Sequence, residues 1–312
     1  MWFWLSIAAM LCWSGSDLFS KMGSRPDDKL SHWKMVITVG FVFGLHAIWS
    51  VLFGGVEITM DIMIKYLPAS LFYIFSMVLG YVGLRFIELS VSSPICNSSG
   101  ALVFLLMCLI MPEEVDFSFP MILSVALICV GVVALGFVEM NEDEELKLKR
   151  RAASNVKYAK SFLALLFPLL YCLLDAAGTF ADIYIMDSLI GGVEEIQDAV
   201  ALSCNVAYEL TFLLMGVIAF IYVVFVKKEK LTLRREGPKG VAAICETAGQ
   251  LAYVLVMADV KHAAYGAPII ASYCAVSALW GRVVLKEKLS WKHYAAIFTA
   301  IAGIILMGIL DP

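Results

Sequence analysis

Two stretches of this sequence decide how it folds. The first runs Ser92-Ser93-Pro94-Ile95, then an apolar run, then Pro112-Glu113-Glu114-Val115-Asp116-Phe117. The second runs Gly266-Ala267-Pro268-Ile269, then an apolar run, then Lys286-Glu287-Lys288-Leu289-Ser290-Trp291. Proline and glutamate stand 19 positions apart in both copies, and an offset of 174 carries Pro94 onto Pro268, Glu113 onto Glu287 and Phe117 onto Trp291. A fixed offset that keeps three residue types in register marks an internal duplication. A proline before and a glutamate after an apolar span is also common membrane punctuation, so the shared register carries the argument.

The surroundings of the two stretches place them in a membrane. The chain has 312 residues, of which 61% are hydrophobic and 16% charged, with a mean hydropathy of +0.86. Soluble domains carry about 25% charged residues, and a chain this apolar lacks the polar surface to cover a water-soluble fold. The net charge of −4 says less than the way the charges are distributed. The 8 cysteines (Cys12, Cys96, Cys108, Cys129, Cys172, Cys204, Cys245 and Cys274) all fall in apolar runs without a CxxC pair. They read as small buried hydrophobes rather than disulfides or metal ligands. No cleavable leader is expected, because Met1-Trp2-Phe3-Trp4 has no basic segment and the first apolar run carries Asp17.

A helix needs about 20 apolar residues to cross the hydrocarbon core. That rule predicts an all-α integral membrane protein with ten transmembrane helices. The first five-helix repeat (1–138) holds spans at 2–22, 34–53, 67–88, 93–111 and 119–138. A charged cytoplasmic linker follows at 139–160, acidic at Glu142, Asp143, Glu144 and Glu145 and basic at Lys147, Lys149, Arg150 and Arg151. The second five-helix repeat (161–312) holds spans at 161–186, 199–226, 240–258, 266–285 and 291–310. Five is odd, so a duplicated half enters the bilayer upside down, and the expected architecture is two inverted repeats, as in many secondary transporters.

The charges also orient the chain. Connections after odd-numbered spans hold all the Lys and Arg residues except Lys65 and Lys261. Basic residues in short loops stay on the cytoplasmic side. The expectation is therefore a multi-pass protein of the cell membrane with odd-numbered loops in the cytoplasm and both termini outside.

Ionisable groups inside a bilayer are costly and by default mark a pathway or site. Residues three and four apart share a helix face. Span 6 aligns Tyr171, Asp175, Gly178 and Asp182; span 7 aligns Asn205, Tyr208, Glu209 and Phe212; span 8 aligns Glu246, Gln250 and Tyr253; span 1 aligns Met10, Trp13 and Asp17. Asp175 and Glu209 fall near the midplane, Glu246 nearer the cytoplasmic end, and Asp17 and Asp182 near opposite mouths. Lys21, Arg85 and Arg282 sit toward span ends, where long side chains reach the interface. An acidic, aromatic midplane suits an organic cation held by carboxylates and ring faces. The candidate substrate-binding residues are Asp175, Glu209, Glu246, Trp13, Tyr81, Tyr208, Tyr253, Gln250, Asn97 and Trp280, with Asp17 and Asp182 as proton-coupling or gate residues. For any one acid the plainer reading is a hydrogen bond to a neighbouring helix; burying three for structure alone is expensive.

Lesser signals read more plainly. Asn97 reaches the cavity or bonds a carbonyl freed by Pro94. Gly40-x-x-x-Gly44 is a close-packing motif within the chain, His46 a lone packed histidine, and Trp2, Trp4, Trp33 and Trp291 interface anchors. No GxxxxGK[ST] occurs, so no ATP-driven pump is expected. A membrane enzyme acting on a lipid-linked substrate is the remote alternative, disfavoured because no clustered acid or histidine motif sits in a loop where a metal–phosphate site would form.

On Pro94 with Glu113, Pro268 with Glu287, and the Trp13-Ser14-Gly15-Ser16 run ahead of Lys21, the chain resembles the drug/metabolite transporter superfamily in its ten-span EamA-type branch. The resemblance implies a central cavity lined by helices of both halves and alternating access. Family substrates include amino acids, amines, quaternary ammonium compounds, sugars and nucleotides. The usual family topology puts the termini in the cytoplasm, whereas the charge count here argues the reverse. The buried acids of spans 6, 7 and 8 are no general family signature. The expected activity is secondary transport of a small organic cation or amine-containing metabolite, coupled to protons, or else export of amino acids or neutral metabolites. The expected partners are that substrate, membrane lipid and protons, with no cofactor, metal or nucleic acid, in a monomer or weak dimer.

Overall fold

The computed structural model describes residues 1–24, 28–86, 95–140, 162–286 and 289–310. Ser92, Ser93, Pro94, Glu287, Lys288 and nearly all of the 139–160 linker lie outside the described residues, as do Arg25 and the Arg85 side chain. Among the described residues the chain is helical, without a strand. The helices are α1 (Trp2–Gly23), α2 (Ser31–Leu52), α3 (Met60–Phe86), α4 (Ser99–Ile110), α5 (Phe119–Met140) and α6 (Phe162–Ile190). They continue with α7 (Gln197–Phe220), α8 (Leu233–Ala258), α9 (Val260–Ala271), α10 (Tyr273–Val284) and α11 (Trp291–Leu310).

Among the described residues eight helical segments are long and apolar enough to cross a membrane, with Val260–Val284 counted as one. The other two expected spans fall short for different reasons. Helix α1 has 22 residues, but Ser6, Ser14, Ser16, Asp17 and Ser20 dilute its apolar character; α4 is apolar and only 12 residues long. Helix α2 illustrates how the apolar helices sort their faces. Val36, Val39, Gly40, Phe43 and Ala47 are buried, while Phe41, Leu45, Ile48 and Trp49 point outward. Both faces are apolar, so the small residues rather than hydrophobicity choose the packed one.

The helices pack in an ordered set of pairs: α1 with α8, α3 with α6, α2 with α7, α4 with α9, and α5 with α11. Counting α9 and α10 as one span, exchanging each span with the one five places later leaves this set unchanged. Two seams obey the same exchange at the level of atoms. A Cβ on Gly40 would lie 2.9 Å from the Phe212 carbonyl and 3.0 Å from Gly216 Cα, while one on Gly216 would lie 3.2 Å from Gly40 Cα and 3.4 Å from the Val36 carbonyl. A Cβ on Gly131 would lie 2.5 Å from Ala300 N and 2.8 Å from the Ala296 carbonyl; one on Gly303 would lie 2.7 Å from the Ser124 carbonyl and 2.8 Å from Ile128 N. Such close backbone approach is what small residues allow between membrane helices. Gly40-x-x-x-Gly44 is thus an internal contact, with Gly44 against Leu213.

The ninth span is interrupted. Pro268 has no N–H to give, and its ring crowds the preceding turn. Helix α9 ends at Ala271 and α10 restarts at Tyr273. Ser272 bridges them, its N–H reaching the Pro268 and Ile269 carbonyls at 3.1 Å and its hydroxyl the Ile269 carbonyl at 2.6 Å. At the position 174 residues earlier, Asn97 and Ser98 form a turn between a helical Ile95-Cys96 and α4. The expected spans 93–111 and 266–285 are therefore not continuous helices; each breaks four residues beyond its proline.

Trp2 corrects one expectation. It is buried, stacked on His262 with ring centroids 5.1 Å apart. Trp4 and Trp291 are exposed, as interface anchors would be.

Candidate functional site

The pairing leaves a central cavity among α1, α3, α4, α6, α8, α9 and α10, with about 1030 Å³ of empty space, part of it open to solvent. Helical periodicity decides what each wall offers. Helix α1 presents Trp13, Ser16, Asp17 and Ser20; α3 presents Tyr73, Met77, Gly80 and Tyr81; α6 presents Tyr171, Asp175 and Thr179; α8 presents Glu246, Gln250 and Tyr253. These offsets of three, four, seven and eight follow one helix face. Tyr208 joins from α7, and the two helix breaks contribute Asn97 and Ala271.

Three carboxylates line the cavity, and each meets a serine from another helix. Ser16 donates to Glu246 Oε2 at 2.6 Å, Ser99 to Asp175 Oδ2 at 2.7 Å, and Ser277 to Asp17 Oδ2 at 3.0 Å. The Asp17 and Asp175 bonds are counterparts under the five-span exchange, since one joins spans 1 and 9 and the other spans 6 and 4. Among the described residues, no lysine, arginine or histidine lines the cavity. Asp175 and Glu246 are therefore gathered at low dielectric, where the serine hydroxyl shares each charge but does not neutralise it.

Aromatic rings fill much of the remaining wall. Trp13 lies 5.1 Å from Tyr253 and meets Tyr273 edge-on at 6.0 Å. Two glycines seat the rings: a Cβ on Gly249 would lie 2.4 Å from Trp13 Cδ1, and one on Gly80 would lie 3.0 Å from the Tyr171 ring. Two donors, Trp13 Nε1 and Gln250 Nε2, have no hydrogen-bond partner.

Two tyrosines meet in the wall between α3 and α8. The Tyr73 and Tyr253 hydroxyls bond each other across α3 and α8, and Tyr73 also donates to Thr179 at 3.1 Å. Behind them Tyr66 donates to Asp182 Oδ1.

The structure brings together Asp17, Asp175, Glu246, Trp13, Tyr81, Tyr208, Tyr253, Gln250 and Asn97. It places three expected site residues elsewhere. Glu209 is fully buried between α7 and α2, accepting from His46 Nδ1 at 2.8 and 2.9 Å and from Asn205 Nδ2 at 3.0 Å. One residue is about 100° of helix turn; with Tyr208 facing the cavity, Glu209 faces α2. His46, read as a lone packed residue, is its partner. Trp280 lies outside the lining, half-exposed, and donates to Ser14 at 3.2 Å. Asp182 sits behind the tyrosines and does not line the cavity.

Sequence reasoning passed over Tyr73, Tyr273, Thr179 and the serines that bind the acids. One signal for the first was available: Tyr66, Tyr73 and Tyr81 are spaced seven and eight apart, a single face of α3. Asn97 and Ala271, at the two helix breaks, also belong to the cavity wall.

Comparison with curated proteins finds no match. A solved crystal structure matches 99% of this chain and 96% of its own, with a TM-score of 0.64 at 11% identity, so the two share a fold. The family match is more specific. Over residues 206–309, from the middle of α7 almost to the end of α11, the chain matches the model of the EamA-like transporter family, of the drug/metabolite transporter superfamily, and the match together with the apolar helices makes it a multi-pass membrane protein.

Proposed function

We propose that this protein is a secondary active transporter, and not an enzyme, that carries a small organic cation or amine-containing metabolite by alternating access. The observation that carries the reading is the cavity itself, where Asp175 and Glu246 meet serine hydroxyls and, among the described residues, no lysine, arginine or histidine lines the wall. A bound ammonium would supply the missing positive charge, and the Trp13 and tyrosine faces would add cation–π attraction of about 0.5–2 kcal/mol each. Proton exchange on these carboxylates would drive the movement.

The architecture that suits this work is ten spans in two inverted repeats, supported by the exchange symmetry of the helix pairs and of both glycine seams. Broken helices at a midplane site recur in transporters built on such repeats. Odd-numbered loops in the cytoplasm and outward termini follow from the loop charges.

A second reading, an amino-acid carrier, draws on the unpartnered donors Trp13 Nε1 and Gln250 Nε2. They suit a substrate that brings a carboxylate or carbonyl beside its amine. A thermal-shift panel of quaternary ammonium ions, primary amines and amino acids on the purified chain separates the two. Cations alone should stabilise the protein under the first reading, and zwitterions best under the second. Asp175→Asn or Glu246→Gln should weaken binding at least tenfold. If no cation or zwitterion stabilises the protein, or if both variants bind as the parent does, the assignment of the cavity fails.

A further inference from the structure

Asp182 is the buried acid that the cavity does not use. It stands seven residues, about two helical turns, beyond Asp175 on the same face of α6. Its side chain is fully buried. Tyr66 donates to Oδ1, while Oδ2 has no hydrogen-bond partner among the described residues. The titratable groups that face it are Tyr66 and Tyr73 from α3, Tyr253 from α8 and Cys204 from α7, with Asp175 further along its own helix. None of these described groups is a cation.

An ionised carboxylate without a cation, with one oxygen unsatisfied, is among the least tolerated groups in a protein interior. A proton on the unpartnered oxygen removes the charge and leaves Oδ1 free to accept from Tyr66. The tyrosines also stand between this acid and the cavity, since Tyr73 and Tyr253 line it and bond each other across α3 and α8. Any motion that opens this wall must part that bond and admit water to Asp182.

We infer that Asp182 is a proton-binding site distinct from the substrate cavity: it holds a proton while Tyr66, Tyr73 and Tyr253 are closed over it and releases that proton to water when they part. The step balances as a carboxylic acid giving one proton to bulk water and leaving a carboxylate that the opened gate hydrates. Ionisation in turn holds the gate open, because closing would bury the charge. The site couples proton binding to access, which rests on the transporter reading only for its use and not for its existence.

Infrared difference spectra of the purified full-length protein, without substrate, test it. At pH 7 the spectrum should contain the carbonyl stretch of a protonated buried carboxyl that disappears in Asp182→Asn, persists in Asp175→Asn and shifts in frequency in Tyr66→Phe, which loses only the hydrogen bond. Hydrogen–deuterium exchange supplies a second readout. Corrected for intrinsic rates, exchange around Tyr66 and Tyr73 should rise with increasing pH in the parent and stay flat in Asp182→Asn. A carboxyl band unchanged by Asp182→Asn, or the same pH dependence of exchange in both proteins, overturns the inference. Neither readout needs a bound cation, so failure of the substrate reading shows separately in the thermal-shift panel.

Discussion

Gly249→Ala should weaken cation binding without unfolding the protein. The added methyl carbon would stand 2.4 Å from Trp13 Cδ1, 2.7 Å from Nε1 and 3.1 Å from Cγ. Carbon atoms settle at about 3.5–4.0 Å, so the indole must retreat by about 1 Å. Behind it lies α1, and ahead lies the cavity that the ring already lines. The ring also leans on Tyr253 at 5.1 Å, so its shift disturbs a second aromatic wall. Loss of one well-placed ring face costs about 0.5–2 kcal/mol, which is about 2- to 30-fold in Kd. The substitution itself favours the helix, because alanine outranks glycine by about 1 kcal/mol in a helix interior. Titration calorimetry with the tightest amine or quaternary ammonium ion of the panel reads the affinity, and the thermal midpoint without ligand reads the fold. Pairing Gly249→Ala with Trp13→Phe supplies the control, because a smaller ring leaves room for the methyl group. Unchanged affinity in Gly249→Ala, or a second substitution that compounds the loss instead of levelling it, would refute the role of Trp13 as a cavity wall.

Two further outcomes concern stability. Gly131→Ala or Gly303→Ala forces a methyl group against backbone of the opposite helix and should cost about 1–3 kcal/mol, lowering the thermal midpoint; cation affinity should hold, since this α5–α11 seam lies off the cavity. At the start of α2, Asp28 bonds buried Lys34 at 2.8 Å. Burial alone would raise its pKa, but the Lys34 and Leu30 N–H hydrogen bonds and the Lys34 and Lys239 charges hold it below the usual carboxylate value. A lowered folded-state pKa means its stabilisation is complete above the unfolded value of about 3.9 and is lost as pH falls through the folded one. Acid unfolding monitored by circular dichroism should therefore show a steeper fall below about pH 4 in the parent than in Asp28→Asn, and identical slopes would contradict the linkage.

How much of this was legible in the sequence depends on which kind of neighbour a residue has. Asp175, Glu246, Gln250 and Tyr253 were readable because the cavity takes one face of a helix, and face is a matter of spacing. The expectation of a duplication rests on the register that Pro94 and Pro268 keep in the sequence, and Pro94 and Glu287 lie outside the described residues. Glu209 was misplaced because spacing gives the angle between neighbours but not the azimuth of the helix; Tyr208 took the cavity and left Glu209 to His46. The serines that hold the acids were invisible for another reason. Ser16 with Glu246 is a contact across 230 positions of chain, and no local pattern announces it. Helix α4 was drawn too long because hydropathy averages over a window and does not register a turn at Asn97 and Ser98.

The interruption at Ser272 has a mechanical consequence. An unbroken helix is a stiff rod, and tilting one end moves the other. A rod notched at Ser272 becomes two levers on one pivot. Helix α9 is fastened chiefly to α4 and α1, and α10 chiefly to α1. The lever held against α4 can swing while the other keeps its seat beside Asp17, where Ser277 is attached. The compliance that the proposed rocking would need is thus concentrated at one residue, between the cavity-lining Ala271 and Tyr273, and the helices on either side can remain rigid.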